Sequence, residues 1–479
     1  MGTDKKSAAV IFSLTLLELL LLHAFGWLQL FTGLLLVYVL PGLSLTLLLF
    51  HRNKLNLLEY AVSTIVLSLS LNILTILSSN LLLGVPITYA TVTTQILAVS
   101  SCFLLGYLFL RFRSWDGSHA LGLGVGGWQV IALTAALLFI SYTTYMIHED
   151  YMFPLHSDEW QDLARATSII EHRNIVMRNP YLKEETHQFD LEIGFNLFLA
   201  EFFILTGVDP VLFYQYLPAI TSLIAGLALF VFVYELFGDF YPAFLSTVFL
   251  AGLKGTIFLL GTWFMVAMSL SIPFIYFILY CLTRALKDNS LPFYLATSVS
   301  LLALTVIHPG MGSFLYLTVV LYLAGLLVYL LLKREIDFSF RKTCVCFAGV
   351  SVIFLLPLAS FAYSLGLLWR DSLHETVRYF FTEFIVFGRL LQYDGVYEPL
   401  FLYEFYGPVA SVLAVAGLFF FVYRGRGGVV SAALFLSLVN LVLYQFEGFN
   451  LFLFYERTVY FVLLYFVILS GAGLFSWVL

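Results

Sequence analysis

Apolar runs of close to 20 residues recur along almost the whole chain, and no other feature limits its fold so strongly. The stretches 10–22, 34–50 and 350–368 are examples. A run of about 20 apolar residues crosses the hydrocarbon layer as an α-helix. Inside that layer every backbone amide and carbonyl must find an internal partner, which leaves only helices or closed barrels. Barrel strands would show as segments of ~10 residues alternating apolar and polar, and no such alternation is visible. Composition agrees, with 61% hydrophobic and 11% charged residues over the 479-residue chain, against roughly 25% charged in soluble domains. The expectation is an all-α membrane protein, a polytopic helical bundle of about 14 spans. These are 8–24, 27–50, 57–80, 88–111, 127–147, 211–236, 241–260, 262–285, 291–307, 310–333, 342–366, 403–423, 429–446 and 457–479. The short apolar stretch 192–206, acidic at Glu192 and Glu201, reads as an interfacial helix.

Charge sets the orientation. With a cytoplasmic N-terminus, the inner loops collect Lys5, Lys6, Arg52, Lys54, Arg111, Arg113, Arg284, Lys287, Lys333, Arg334, Arg341, Lys342, Arg424 and Arg426, as the positive-inside rule requires. Two long segments then fall on the outer face of a cell membrane, 148–210 and 367–402. The basic, Gly-rich stretch 111–127 marks a boundary between an N-terminal four-span region (1–120) and a core (121–479) that carries both outer loops. The charge pattern has no basic block of the kind that binds nucleic acid. Cys102, Cys281, Cys344 and Cys346 lie in or beside apolar segments and read as buried thiols, not as a disulfide or zinc framework. The N-terminal run could pass for a signal peptide. It continues into a second apolar segment with no small-residue cleavage site, so an uncleaved first span is expected.

Long loops in compact membrane proteins tend to carry function, and the first outer loop contains FPLHSDEWQDLARA (153–166). Ser157 is placed to cap a helix starting at Asp158 and running to about His172, with Asp158 and Asp162 on one face and Arg165 a turn further on. Ser-Asp-Glu is also an ordinary helix start, since acids are favoured there by the helix dipole. Three observations add weight to a functional reading: the segment directly follows a span, it has apolar neighbours (Phe153, Leu155, Trp160, Leu163), and it continues through Asn179-Pro-Tyr181 into 193–205.

The arrangement resembles the GT-C glycosyltransferase superfamily, whose members carry an acidic pair in the first long outer loop of the core. Here the matching pair is Asp158 and Glu159, following span 127–147, and HSDEWQDLARA with EIGFNLFLA (192–200) looks like archaeal members. The resemblance covers roughly 127–285. It implies a sugar donor on dolichyl or another polyprenyl phosphate, an acceptor that is a glycan, lipid or protein, and transfer of a hexosyl or pentosyl unit with inversion. A lipid phosphate is already a good leaving group, so no general acid is required, in contrast to glycosidases. What is needed is a base for the acceptor hydroxyl and positive charge for the departing phosphate. The resemblance gives the base role to Asp158, with Glu159 or Asp162 orienting it or helping to hold a divalent metal, which the sequence does not itself indicate. No Asp-x-Asp occurs in the outer loops, and Trp369-Arg-Asp371 does not match the Trp-Trp-Asp acceptor motif of oligosaccharyltransferases. Peptide-acceptor oligosaccharide transfer is therefore not expected.

Cations for the lipid phosphate are sought near the outer face. Lys254 lies within span 241–260, where a charge costs up to ~3 kcal/mol on insertion scales; it reads as functional or as a residue snorkelling to the surface. Arg457 opens the last span and reads as a phosphate ligand or as an interfacial anchor paired with Glu456. His308, in His-Pro-Gly at a span end, reads as a turn residue or a ligand. Arg165 is expected to pair with Asp162. Two rival functions remain open. A transporter or lipid flippase would need polar groups at mid-bilayer, where Glu18 and Lys254 stand out, and no internal repeat supports alternating access. A non-catalytic scaffold would use 148–210 only for docking.

Overall fold

The computed structural model describes residues 26–51, 53, 55–113, 122, 124–175, 177–178, 187–188, 192–253, 261–288, 290–333, 406–424, 428–447, 453 and 455–478. The expected spans 8–24 and 342–366, with Glu18, Lys254 and the second outer loop 367–402, lie outside the described residues.

Among the described residues the regular structure is helical, apart from a two-residue antiparallel ladder between β1 (Met177–Arg178) and β2 (His187–Gln188). Eight helices among the described residues are long and apolar enough to cross a membrane, and five shorter apolar ones accompany them. The chain is thus a membrane protein. It divides into two compact units: Met1–Gly126 with Tyr151–Leu217, and Gly127–Asp150 with Pro218–Leu479. In this division the acidic segment groups with the N-terminal helices.

The first unit holds α1 (Gly26–Tyr38), α2 (Leu40–Leu49), α3 (Leu57–Leu83) and α4 (Tyr89–Arg113). The expected span 27–50 is present as Trp27–Leu49, interrupted at Val39 between α1 and α2, and Pro41 explains the interruption: lacking an N–H, it cannot bond the carbonyl of Val37 four residues back. That carbonyl instead accepts the Ser68 hydroxyl at 2.9 Å and, with the Leu36 carbonyl, the Asn72 amide at 3.3 and 3.2 Å. A freed backbone group inside a membrane helix needs such a substitute. Gly42 lets α2 lie directly on α3, because a Cβ there would strike the Thr64 carbonyl and the Ser68 backbone. Asn56 starts α3 with a capping box, its Oδ1 accepting the Glu59 amide while Glu59 accepts the Asn56 amide.

Beyond the ladder, α7 (Ile193–Thr206) is buried on every side against α1, α3 and α6 (Ser157–His172). An interfacial helix keeps one face polar and wet. This one has none, so the expected headgroup-level placement gives way to a helix packed inside the unit. A single turn, α8 (Pro210–Phe213), capped by Asp209, leads out of the unit.

The second unit contains α5 (Gly127–Tyr145), α9 (Leu217–Phe237), α10 (Phe240–Leu250), α11 (Ala267–Asp288), α12 (Leu291–Ile307), α13 (Pro309–Lys333), α14 (Pro408–Arg424), α15 (Gly428–Glu447) and α16 (Tyr455–Val478). Its centre is α16, which packs on α10, α14 and α15. Gly417 of α14 and Gly473 of α16 face each other's helix so closely that a Cβ on either would strike a carbonyl, of Leu469 or Leu413. Small residues at this crossing let two backbones meet, the usual device where lipid removes the hydrophobic drive between helices. Glu235 of α9 receives both Arg284 (3.2 Å) and Lys287 (2.7 Å) of α11, so this half-buried acid is compensated.

Candidate active site

In the first unit, α6 starts at Ser157, one residue earlier than expected, and its N-cap is His156 instead of Ser157. The imidazole Nδ1 accepts the Asp158 amide at 3.1 Å, while Glu159 Oε2 accepts the amides of Leu155 (2.8 Å) and His156 (3.0 Å). This is a capping box with an imidazole in the place of the usual hydroxyl. Because Nδ1 accepts an N–H it carries no proton there, so its 3.7 Å approach to Asp158 Oδ1 is not an ion pair.

Burial along α6 runs through Glu159, Asp162, Leu163, Ala166 and Ile169, a spacing that places one stripe of the helix inward. Two acids therefore sit on the packed face. Glu159 is fully enclosed and tied to amides. Asp162 is also enclosed, and pairs with Arg165 Nη1 at 3.3 Å as the spacing suggested. Fully buried Tyr214 lies within electrostatic reach of both. Asp158 differs: its side chain is 43% exposed, with His156 Nδ1 at 3.7 Å and no Lys or Arg paired with it among the described residues. The turn thus presents one open carboxylate on a base of two engaged ones.

The far end of α6 is fixed as firmly. Arg173 closes it in the left-handed region, at φ 58°, a conformation that strains a non-glycine residue. Its carbonyl accepts the Ile87 amide at 2.8 Å, and the Ile175 amide donates to Asn80 Oδ1 at 3.3 Å. The α3–α4 connection thereby grips the C-terminal end of the acidic helix.

In the second unit, Arg457 lies in the first turn of α16, half-buried. Its Nη1 contacts Met268 Sδ at 3.6 Å, and no carboxylate pairs with it among the described residues, the neighbouring Glu456 included. A guanidinium at the positive end of a helix dipole is electrostatically uphill unless an anion joins it. His308 stands close by. It caps α13, its Nδ1 accepting the Met311 amide at 3.2 Å. Burial, and after it the Arg457 charge, lower its pKa from 6.5 to about 3, so the ring is neutral and its Nε2 carries the hydrogen. The start of α16 is held by Asn440, whose amide donates to Leu453 O (3.0 Å) and Thr458 Oγ1 (2.7 Å), and by Tyr460, whose hydroxyl accepts the Thr262 amide at 3.1 Å.

The structure therefore brings Asp158, Glu159, Asp162 and Arg165 together on one helix, and His308 beside Arg457 in the other unit. Lys254 lies outside the described residues. Among the described residues no group of three or more His, Cys, Asp or Glu is placed to hold a metal ion. Sequence reasoning missed the capping role of His156, although His-Ser-Asp-Glu carries the acid three residues after the cap that signals a capping box. It also missed Asn440 and Thr458, for which 18 residues of separation leave no local signal.

No protein-family model matches the sequence, and no curated protein matches it. Among solved structures, the chain is similar to the archaeal oligosaccharyltransferase AglB from Archaeoglobus fulgidus, solved in complex with an inhibitory peptide and a dolichol-phosphate. The identity is 13% and the TM-score 0.46, over 73% of this chain and 50% of AglB, so the match spans about half the length of that structure.

Proposed function

We propose that this membrane protein is an inverting glycosyltransferase, moving one sugar from a polyprenyl-phosphate carrier, dolichyl phosphate among them, to an acceptor hydroxyl on the outer face of the cell membrane. The observation that carries the reading is the acidic turn: a half-open Asp158 carboxylate at a helix start whose geometry is set by His156 and Glu159. A base of this kind must be held in place and left without a cation that would lower its basicity. In the step proposed, the acceptor oxygen bonds to the anomeric carbon while the carbon–oxygen bond to phosphate breaks. The electron pair leaves with the phosphate, and the acceptor proton passes to Asp158.

Glu159 acts by fixing the turn, and Asp162 with Arg165 by holding the packed face beneath it. Arg457, which no carboxylate neutralises among the described residues, supplies charge for the phosphate. Neutral His308 adds an N–H donor beside it, and Lys254 is a further cation in this assignment. The test is sugar transfer from a radiolabelled polyprenyl-phosphate sugar in membranes carrying Asp158→Asn. Loss of transfer at unchanged protein level is expected. Undiminished transfer would refute the role of Asp158, and absence of any transfer by the unaltered protein across donors would favour the transporter reading.

A further inference from the structure

A second polar centre lies inside the first unit, and the proposed transfer chemistry makes no use of it. Glu201 sits midway along α7 and is fully buried. Its Oε1 accepts the Asn72 amide at 2.6 Å, and its Oε2, equally enclosed, has no hydrogen-bond partner. No basic side chain accompanies it among the described residues. The same Asn72 nitrogen reaches the Leu36 and Val37 carbonyls at the break between α1 and α2.

Counting donors against acceptors exposes the problem. The Asn72 amide has two hydrogens for three oxygens, and the Ser68 hydroxyl adds one more, to Val37. Glu201 Oε2 is left over. The carbonyls belong to the C-terminal end of a half-helix, which bears partial negative charge. A carboxylate and a helix C-terminus thus meet in an enclosed space with an excess of lone pairs, an arrangement that costs several kcal/mol unless positive charge joins it. Tyr38, the last residue of that half-helix, packs its ring against Phe198 and Phe202 of α7, each at 6.4 Å.

We propose that Glu201 and the Leu36 and Val37 carbonyls form a binding site for one monovalent metal cation at the broken helix of the first unit. A single carboxylate among neutral oxygens balances one positive charge, whereas calcium sites gather six to eight oxygens, often from several carboxylates. Unwound backbone at a helix break, beside a carboxylate, is a setting in which membrane proteins coordinate small cations. The Asn72 amide holds the two halves of the oxygen set in register. A proton competes for the same carboxylate, so occupancy by metal rises with pH.

The test uses the full chain in detergent and reads thermal unfolding, which is independent of any transfer activity. At pH 8 and constant ionic strength, choline chloride is replaced stepwise by sodium or potassium chloride. A saturable rise in Tm of about 2–6 °C is expected for one of the two metal ions, smaller at pH 5.5 and absent in Glu201→Gln. The amide keeps the shape of the acid and removes its charge. Identical midpoints in sodium, potassium and choline at both pH values would overturn the proposal in the unaltered protein alone, whatever the variant does, and leave Glu201 as a protonated structural acid. A metal effect that persists in Glu201→Gln would overturn the location.

Discussion

Two helices in this protein begin in the same way and face opposite charges. At α6 the imidazole of His156 accepts the amide of Asp158 at a half-open turn crowded with acids. At α13 the imidazole of His308 accepts the amide of Met311 in a buried setting beside a guanidinium. In both, Nδ1 is committed to the backbone, which leaves Nε2 as the remaining hydrogen-bonding atom. The local device is shared, and the neighbours decide its electrical character. Each neighbourhood also holds one ion without an opposite charge among the described residues, Asp158 in the first unit and Arg457 in the second. A site is thus defined here less by the residue types near a turn than by which charge the turn leaves uncompensated.

The comparison breaks most visibly at the uncompensated ions. Asp158→Asn is expected to lower sugar transfer by about 10²–10⁴-fold, the range spanned by general-base catalysis, while detergent-solubilised protein unfolds at an unchanged temperature. Arg457→Ala should cost about 10–100-fold in kcat/KM for the lipid-linked donor, corresponding to one charged hydrogen-bond partner. Arg457→Lys should recover part of the loss, because the charge returns without the fork.

Effects at the compensated groups belong to stability. Glu159→Ala strips two part-buried amides of their acceptor and is expected to cost about 1–3 kcal/mol, seen as a lower denaturant midpoint. His156→Ala should cost about 1 kcal/mol, the ordinary price of an N-cap, with Glu159 still holding the turn. His308 also makes stability depend on pH. Since the folded-state pKa of His308 is lowered to about 3, the unfolded chain binds the extra proton between pH 6.5 and 3. Its contribution to stability is therefore complete above pH 6.5 and is lost as pH falls toward 3. His308→Gln should flatten the stability profile in that window by up to one proton's slope.

Much of the fold could be read from residue order, because lipid permits so few solutions. The ends of α12, α15 and α16 fall within a few residues of the expected spans. Departures have specific causes. The break in 27–50 follows from Pro41 and becomes tolerable only because Ser68 and Asn72, more than 30 residues away, supply the missing donors. The span expected to begin at 262 begins as a helix at Ala267, the preceding Thr262 being bonded to Tyr460 instead of to its own turn. At the acidic turn, spacing revealed the acids and the Asp162–Arg165 pair. It did not show that Glu159 faces inward while Asp158 stays open, since neighbouring helical positions differ by about 100° and packing alone decides which is covered. Glu201 looked like a headgroup-level acid for the same reason: its partner Asn72 is 129 residues distant.

The grip of the α3–α4 connection on Arg173 and Ile175 bears on how this chain can be dissected. Residues 151–217 share a compact unit with the helices before residue 127. A shortened protein starting at residue 127 would keep every acid of the α6 turn and lose the backbone that holds its far end. Limited proteolysis of such a truncation should cut first between 151 and 192, and supplying residues 1–126 as a separate chain should restore protection there.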